Sequence, residues 1–257
     1  MTQEDNQAIQ NNESTLTSLQ KFIVSVLTFK QEKTQTGELV FYHIFQRIIP
    51  TIQLSLFAII FGSILGIYGG LFCTFLNIKI ITQMSLGFCG FVLSTPIFIV
   101  AIFLLILFFW KLNLLPPGGY VAGNILYLIL PGIALGSRTL ARIFIYTYSE
   151  SKKETYSDYI LFLKSRGFKY STIVFKHVLL KILPILMVFI LIDFSSLLSG
   201  AIIVEEIFFF PGVGKSLYSS IKSMDEALLR ILLVYMGIVF YIFTRLAKKF
   251  QSIFTGD

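Results

Sequence analysis

Two stretches of this chain, Ile48–Ile78 and Ile80–Trp110, contain no charged residue. A helix crosses the hydrocarbon core of a bilayer with about 20 apolar residues, so each stretch can span with tilt or excess length. Neither carries the charged face of a surface helix. The constraint points to an all-α, polytopic transmembrane bundle.

Three further segments extend the pattern. Val121–Ser137 is apolar and continues so past Arg138 and Arg142 to about Tyr148. Ile182–Val204 carries only Asp193, and Leu228–Thr244 only Arg230. The expected domain runs over 48–248, with about five spans at 48–76, 81–110, 122–148, 182–204 and 228–246. Composition agrees, with 55% apolar and 14% charged residues, where a soluble domain has about 25% charged. Disorder, a coiled coil and an ordinary soluble enzyme are excluded. The 27 Phe read as drift at lipid-facing positions.

The net charge of +7 would raise nucleic acid as a partner in a soluble protein. Here the basic residues flank the spans, so they report topology, and no nucleic acid is expected. Residues 149–181 hold Lys152, Lys153, Lys164, Arg166, Lys169, Lys176 and Lys181, and the tail holds Arg245, Lys248 and Lys249. The loop 205–227 balances Lys215 and Lys222 against four acids. The positive-inside rule puts 149–181 and the C-terminal tail 249–257 in the cytoplasm. Counting spans backward puts 1–47 outside. Within that tail Leu19–Phe29 is apolar but too short to span, and reads as an interfacial amphipathic helix.

The loop 149–181 carries the most information. Tyr156, Tyr159, Ile160 and Leu163 recur at helical spacing, and Gly167 follows the basic Lys164-Ser165-Arg166. A Gly just past a basic last turn stops a helix. A second helix is expected from Ser171 or Thr172 as N-cap, with Pro184 opening the next span. A helix–Gly–helix with apolar and basic sides either grips anionic headgroups or docks a cytoplasmic partner.

Other residues have two readings each. Asp193 lies mid-span, where an ionisable group faces a cavity or a partner. It either lines a pathway, makes an interhelical hydrogen bond, or is a protonated, locally satisfied acid. Glu205 and Glu206 form either a solvated interfacial pair or a contact at a pore mouth, with a structural role favoured for Glu205. Gly62, Gly66 and Gly70, and Gly132 and Gly136, recur every fourth residue and read as close helix packing. Cys73 and Cys89 read as small buried hydrophobes. His177 has no partner at metal-ligand spacing and reads as a contact within the loop. "GVGKS" (Gly212–Ser216) resembles the end of a phosphate-binding loop, but position 209 is Phe rather than Gly. The tight Pro-Gly-x-Gly turn is the better reading. No zinc, nucleophile-elbow or Asp-rich magnesium motif is present, so neither catalysis nor a metal site is expected in this chain.

Several segments resemble one family. "DYILFLKSRGFKYSTIVFKHVLLKILP" (Asp158–Pro184) is similar to the cytoplasmic loop of binding-protein-dependent ABC importer permeases. Gly167 and His177 stand ten apart, as in the dipeptide, oligopeptide and nickel branch. "SGAIIVEEIFFFPGVGKSLYSSI" (Ser199–Ile221) resembles that branch's Glu, aromatic and Pro-Gly-x-Gly signature, and Asp225 follows in place. "GELVFYHIFQRIIPTIQLSL", "STPIF" and "LNLLPPGGY" also fit, so the resemblance covers roughly 37–250. Asp225 is preceded by Met224 where the branch usually has an Arg. Three features depart from the family: the loop lacks Glu-Ala-Ala, Pro184 falls one residue early, and in the branch one more span precedes the stretch that 1–47 resembles.

The resemblance implies a type I importer permease fold and a pore built with a second, homologous permease chain in the cytoplasmic (inner) membrane. ATPase subunits would dock on Lys164, Ser165, Arg166, Gly167, Phe168 and Lys169, with His177 part of the same loop. They would bind the ATP and Mg, leaving no cofactor in this chain. An extracytoplasmic solute-binding protein would deliver peptides, nickel or a related solute. Asp193, Glu205, Pro211, Gly212 and Gly214 would belong to the pore or gate, the last three in a re-entrant lid. The alternatives are a truncated, non-transporting anchor for an ATPase subunit and a membrane-embedded lipid enzyme. The latter needs a His/Asp/Glu cluster that the sequence lacks.

Overall fold

A computed structural model describes residues 34, 37–198 and 201–255. The stretch Leu19–Phe29 lies outside them. The described residues are helical, with no strand. The long helices are α1 (Val40–Leu76), α4 (Leu126–Glu154), α6 (Tyr170–Leu198) and α9 (Glu226–Thr255). Each is long and apolar enough to cross a membrane. Between α1 and α4 lie α2 (Lys79–Ser94) and α3 (Ile97–Lys111), and the chain turns by 104° between them. They make a fifth span only if the bent pair is counted as one. Short helices α5 (Asp158–Ser165), α7 (Ile202–Ile207) and α8 (Val213–Lys222) fill the connections.

The helix limits depart from the expected spans for identifiable reasons. Charge marks where a segment leaves the hydrocarbon, whereas a helix ends where backbone geometry stops it. So α1 begins at Val40, and Pro50 sits inside it. It stops at Asn77, which takes the left-handed conformation at φ 52°. α6 begins at Tyr170, with Lys169 as the extended N-cap. Ser171 and Thr172 lie in its first turn and do not cap it. Loop and span are one helix there, widened to π geometry over Ile173–Val178. Pro184 lies inside that helix rather than at its start. The expected single span over 81–110 is instead broken at Thr95-Pro96. Pro forces the residue before it into extended geometry, and Thr95 has ψ 130°.

α1 and α4 form the centre. The glycines meant for close packing are where the two helices touch. A Cβ on Gly62 would lie 2.6 Å from the Gly136 carbonyl oxygen, one on Gly66 2.9 Å from that of Leu140, and one on Gly70 2.8 Å from the Thr147 Cβ. In return a Cβ on Gly136 would lie 2.7 Å from the Ala58 carbonyl oxygen. Without side chains the backbones approach closely, and the ladder continues to Thr74 and Ser151, whose hydroxyls pair at 2.5 Å. Cys73 and Cys89 are buried together with Ala141 and Phe144 and are unbridged.

Apolar clusters sit at both ends of α1. At one, Leu71 packs with Ile160, Ile173, Val174, Val178, Ile182 and Leu186 under the α5–α6 loop. At the other, Val40 and Ile44 pack with Val213, Leu217, Leu228 and Leu232. Val40 and Leu71 are separated by about 46 Å of helix at 1.5 Å per residue, more than the ~30 Å hydrocarbon core. The loop and the α7–α8 lid are thus at opposite ends of the bundle.

Candidate functional site

Three constructions carry chemistry, and the sequence-selected residues divide among them. The first is the α5–α6 loop. The Arg166 N–H donates to the Phe162 carbonyl, that of Gly167 to Lys164 at 3.0 Å, and that of Phe168 to Leu163 at 3.2 Å. This pair of reversed bonds after α5 is a Schellman stop, which needs a left-handed residue at Gly167, here at φ 78°. A Cβ on Gly167 would touch nothing, so the glycine is required by its dihedral and not by space.

The stop turns Phe168 outward, and its ring remains 44% exposed. The His177 ring meets it edge-on at 5.6 Å, so His177 supports the tip from α6. Lys164, Ser165, Arg166 and Lys169 are all exposed around the tip. The underside is held by Ile160, Ile173, Val174 and Val178, all fully buried, and by Tyr170 stacked on Phe75 at 5.9 Å. An exposed aromatic tip therefore stands on a packed apolar base, with Lys164 turned over the Tyr170 ring, Arg166 over the Phe162 ring and Lys169 exposed beside it in sequence.

The second construction is the lid. Glu205 is fully buried. Its Oε1 accepts from the Thr51 hydroxyl of α1 at 3.1 Å, and its Oε2 from the Lys215 N–H at 2.8 Å. Thr51 in turn accepts from the Val213 N–H at 2.9 Å. A Cβ on Gly212 would fall 2.2 Å from the Glu205 carboxyl carbon, and one on Gly214 2.9 Å from the Ile202 backbone. Pro211, Gly212 and Gly214 thus wrap the start of α8 around this carboxylate. Desolvation holds the Glu205 carboxyl above the ordinary carboxylate range, against the pull of the Lys215 amide, Thr51, the Gly214 amide and the Arg47 charge. The backbone N–H groups of the phosphate-loop-like "GVGKS" are thus engaged by an internal glutamate side chain and not by a phosphate. Glu205 is enclosed beneath the turn, so it does not line an open mouth. The residues 112–120 clasp the lid: the Gly119 N–H donates to the Phe208 carbonyl at 2.7 Å, and Tyr120 packs edge-on to Phe210.

The third construction lies mid-span. Asp193 of α6 is buried and forms an ion pair with Arg142 of α4. This is the interhelical partnership that a mid-span acid requires. The pair borders a cavity of about 200 Å³ lined also by Ile97, Leu135, Arg138, Thr139, Ser196 and Leu197. Arg138 Nη2 donates to the Leu93 carbonyl at 3.3 Å and the Thr95 carbonyl at 3.2 Å. A helix broken inside a membrane leaves carbonyls that protein must satisfy, and Arg138 does so at the α2–α3 break.

Sequence reasoning passed over Arg138 and Thr51. The signal for Arg138 was present, since an arginine interrupting an apolar run needs a partner. Thr51 had none, because its role comes from a contact 154 residues away. Among the described residues no group of three His, Cys, Asp or Glu is placed to hold a metal.

A helical bundle of four long apolar helices and a bent fifth pair, with a basic loop at one end and the short α7–α8 turn at the other, is the architecture of a polytopic membrane protein. The chain belongs to the family of binding-protein-dependent transport system inner membrane components, whose model matches residues 58–254. It is 27% identical over 232 residues to the dipeptide transport system permease protein DppB of Alkalihalophilus pseudofirmus, covering 80% of this chain and 70% of the relative. It is 28% identical to that of Lactococcus lactis subsp. cremoris, covering 81% and 68%. It is 31% identical to the glutathione transport system permease protein GsiC of Pectobacterium atrosepticum, covering 70% and 58%. The fold matches a chain of the MetNI methionine ABC transporter, solved in inward facing conformations, with a TM-score of 0.69 at 17% identity over 83% of this chain and 96% of that one.

Proposed function

We propose that this chain is a pore-forming permease subunit of an ABC transporter that imports peptides or a related small solute. The relatives of similar sequence are permeases of dipeptide and glutathione systems. ATP is hydrolysed on separate subunits, which dock on Lys164–Lys169 from the cytoplasm. A second, homologous permease chain completes the pore, and an extracytoplasmic solute-binding protein delivers substrate at the lid end. The C-terminus lies on the cytoplasmic side. The non-transporting anchor is not favoured, because the matches run along most of the chain and are to permeases.

The observation that carries the docking is the Phe168 knob. An exposed aromatic backed by His177, with Lys164, Arg166 and Lys169 exposed beside it in sequence, suits a cleft with an apolar floor and an acidic rim. The knob lies in the turn directly ahead of α6, whose first residue Tyr170 continues without a break into the span, so displacement of the loop is carried into that span. Asp193 on that span then shifts against Arg142, coupling the loop to the interior.

Phe168→Asp is expected to abolish recovery of the ATPase subunit in mild-detergent pull-downs and to remove solute uptake at normal membrane level. Undiminished uptake by this variant sinks the docking role.

A further inference from the structure

We propose that the cavity between α3, α4 and α6 is a subsite for the single negative terminus of the transported solute, with Arg138 as its recognition group. The inference rests on the importer reading above and goes beyond it by naming a site and a ligand chemistry. The charged lining consists of Arg138, Arg142 and Asp193. Asp193 is committed to Arg142, so the cavity keeps one uncompensated positive charge. Arg138 meets two backbone carbonyls at the α2–α3 break, which satisfy part of its guanidinium but supply no counter-charge.

Arg138 has donors to spare. Both of its hydrogen bonds use Nη2. Its Nε is shielded from solvent and unpartnered, so the donors left for a ligand are those of Nη1, which makes no hydrogen bond among the described residues. A planar guanidinium with free N–H groups favours a two-oxygen anion. The Ser196 hydroxyl lines the same wall, while the Thr139 side chain is hydrogen-bonded to Asp193.

Size and charge narrow the ligand. The cavity, at about 200 Å³, is smaller than the ~300 Å³ from which sites for whole small molecules begin. It takes one end of a solute. One net positive charge is neutralised by one carboxylate, which a phosphate dianion would overshoot. A protonated amine is repelled. The fitting group is the carboxylate terminus of a peptide-like solute.

The test uses inverted-free, right-side-out vesicles holding the whole transporter with its solute-binding protein at saturating peptide. It reads ATP-driven accumulation of a labelled dipeptide mixture and of the same mixture with amidated C-termini. Saturation removes the binding protein's own preference from the comparison. The expected acid-to-amide ratio is high in the unmodified transporter, falls at least tenfold in Arg138→Gln, and stays within about threefold in Arg138→Lys.

Arg138→Gln also removes the staple at the α2–α3 break, so Ser196→Asp provides an independent arm. It cancels the spare charge while leaving Arg138 in place, and the ratio is again expected to fall tenfold. A ratio unchanged in Ser196→Asp with transport intact overturns the subsite. So does a parallel loss of both substrates in Arg138→Gln with the ratio held. Accumulation of neither mixture by the unmodified transporter overturns the peptide-import reading itself, and the subsite with it.

Discussion

Single residues in this chain do their work through groups far away in sequence. Glu205 shows this best. Its carboxylate receives the Thr51 hydroxyl from α1 and the Lys215 amide from α8, so one side chain holds three elements together. All of these partners are donors. Glu205→Gln would turn an NH2 group toward one of them and leave a buried polar atom unmatched, a loss of about 1–3 kcal/mol. The expected outcome is a fall of several degrees in the unfolding temperature of the detergent-purified protein. Glu206→Gln, at the half-buried neighbour, is expected to stay within about 0.5 kcal/mol. Equal melting of both variants would remove Glu205 from this role. Gly167 is a second such residue. Gly167→Ala meets no atom, yet its φ of 78° imposes about 1–2 kcal/mol on any L side chain. That penalty loosens the Phe168 tip, and protease cleavage between Lys164 and Lys169 should speed up.

At the level of elements, the α1–α4 pair sets the bundle, and its glycines set how near the two helices come. Gly66→Val would drive carbon into the Leu140 carbonyl and Ile143, at 2.9 and 3.0 Å. Backbone cannot yield as a flexible side chain does. Overpacking of this kind costs about 1–3 kcal/mol, and the variant should lose membrane level or thermal stability. Gly87→Val on α2, where a Cβ meets no atom within 4 Å, serves as the comparison. If the two behave alike, the ladder is not a packing device. The broken span α2–α3 is the opposite case, an element held by a side chain of another. Arg138 accepts no help from its own helix in satisfying the Leu93 and Thr95 carbonyls. Pro96 makes the bend, and Arg138 of α4 satisfies the carbonyls that the bend leaves open.

For the whole molecule, the loop and the lid occupy opposite ends of α1. This geometry suits energy input at one face and solute entry at the other. Lys169 and Ser223 are exposed and belong to these two ends, while the natural Cys73 and Cys89 are buried and give little background. A membrane-impermeant maleimide is expected to label Lys169→Cys only in inside-out vesicles and Ser223→Cys only in intact cells. Labelling of both from one side would reverse or break the proposed topology.

The sequence by itself determined the class of fold, because charge-free runs of this length have few physical solutions. It also determined the glycine stop at Gly167 and the small-residue packing of Gly62, Gly66 and Gly70, since both follow from local backbone geometry and spacing. The Asp193 anomaly was legible too, as a mid-span acid that faces a cavity or a partner. What the tertiary structure decided was which partner. Arg142 for Asp193, Thr51 for Glu205, and the carbonyls of Leu93 and Thr95 for Arg138 are pairings across 43 to 154 residues. Periodicity and propensity act over a few residues and carry no information on such distances. Burial inside a membrane makes an unmatched polar group costly wherever its match lies along the chain, and only the packed bundle brings the two together.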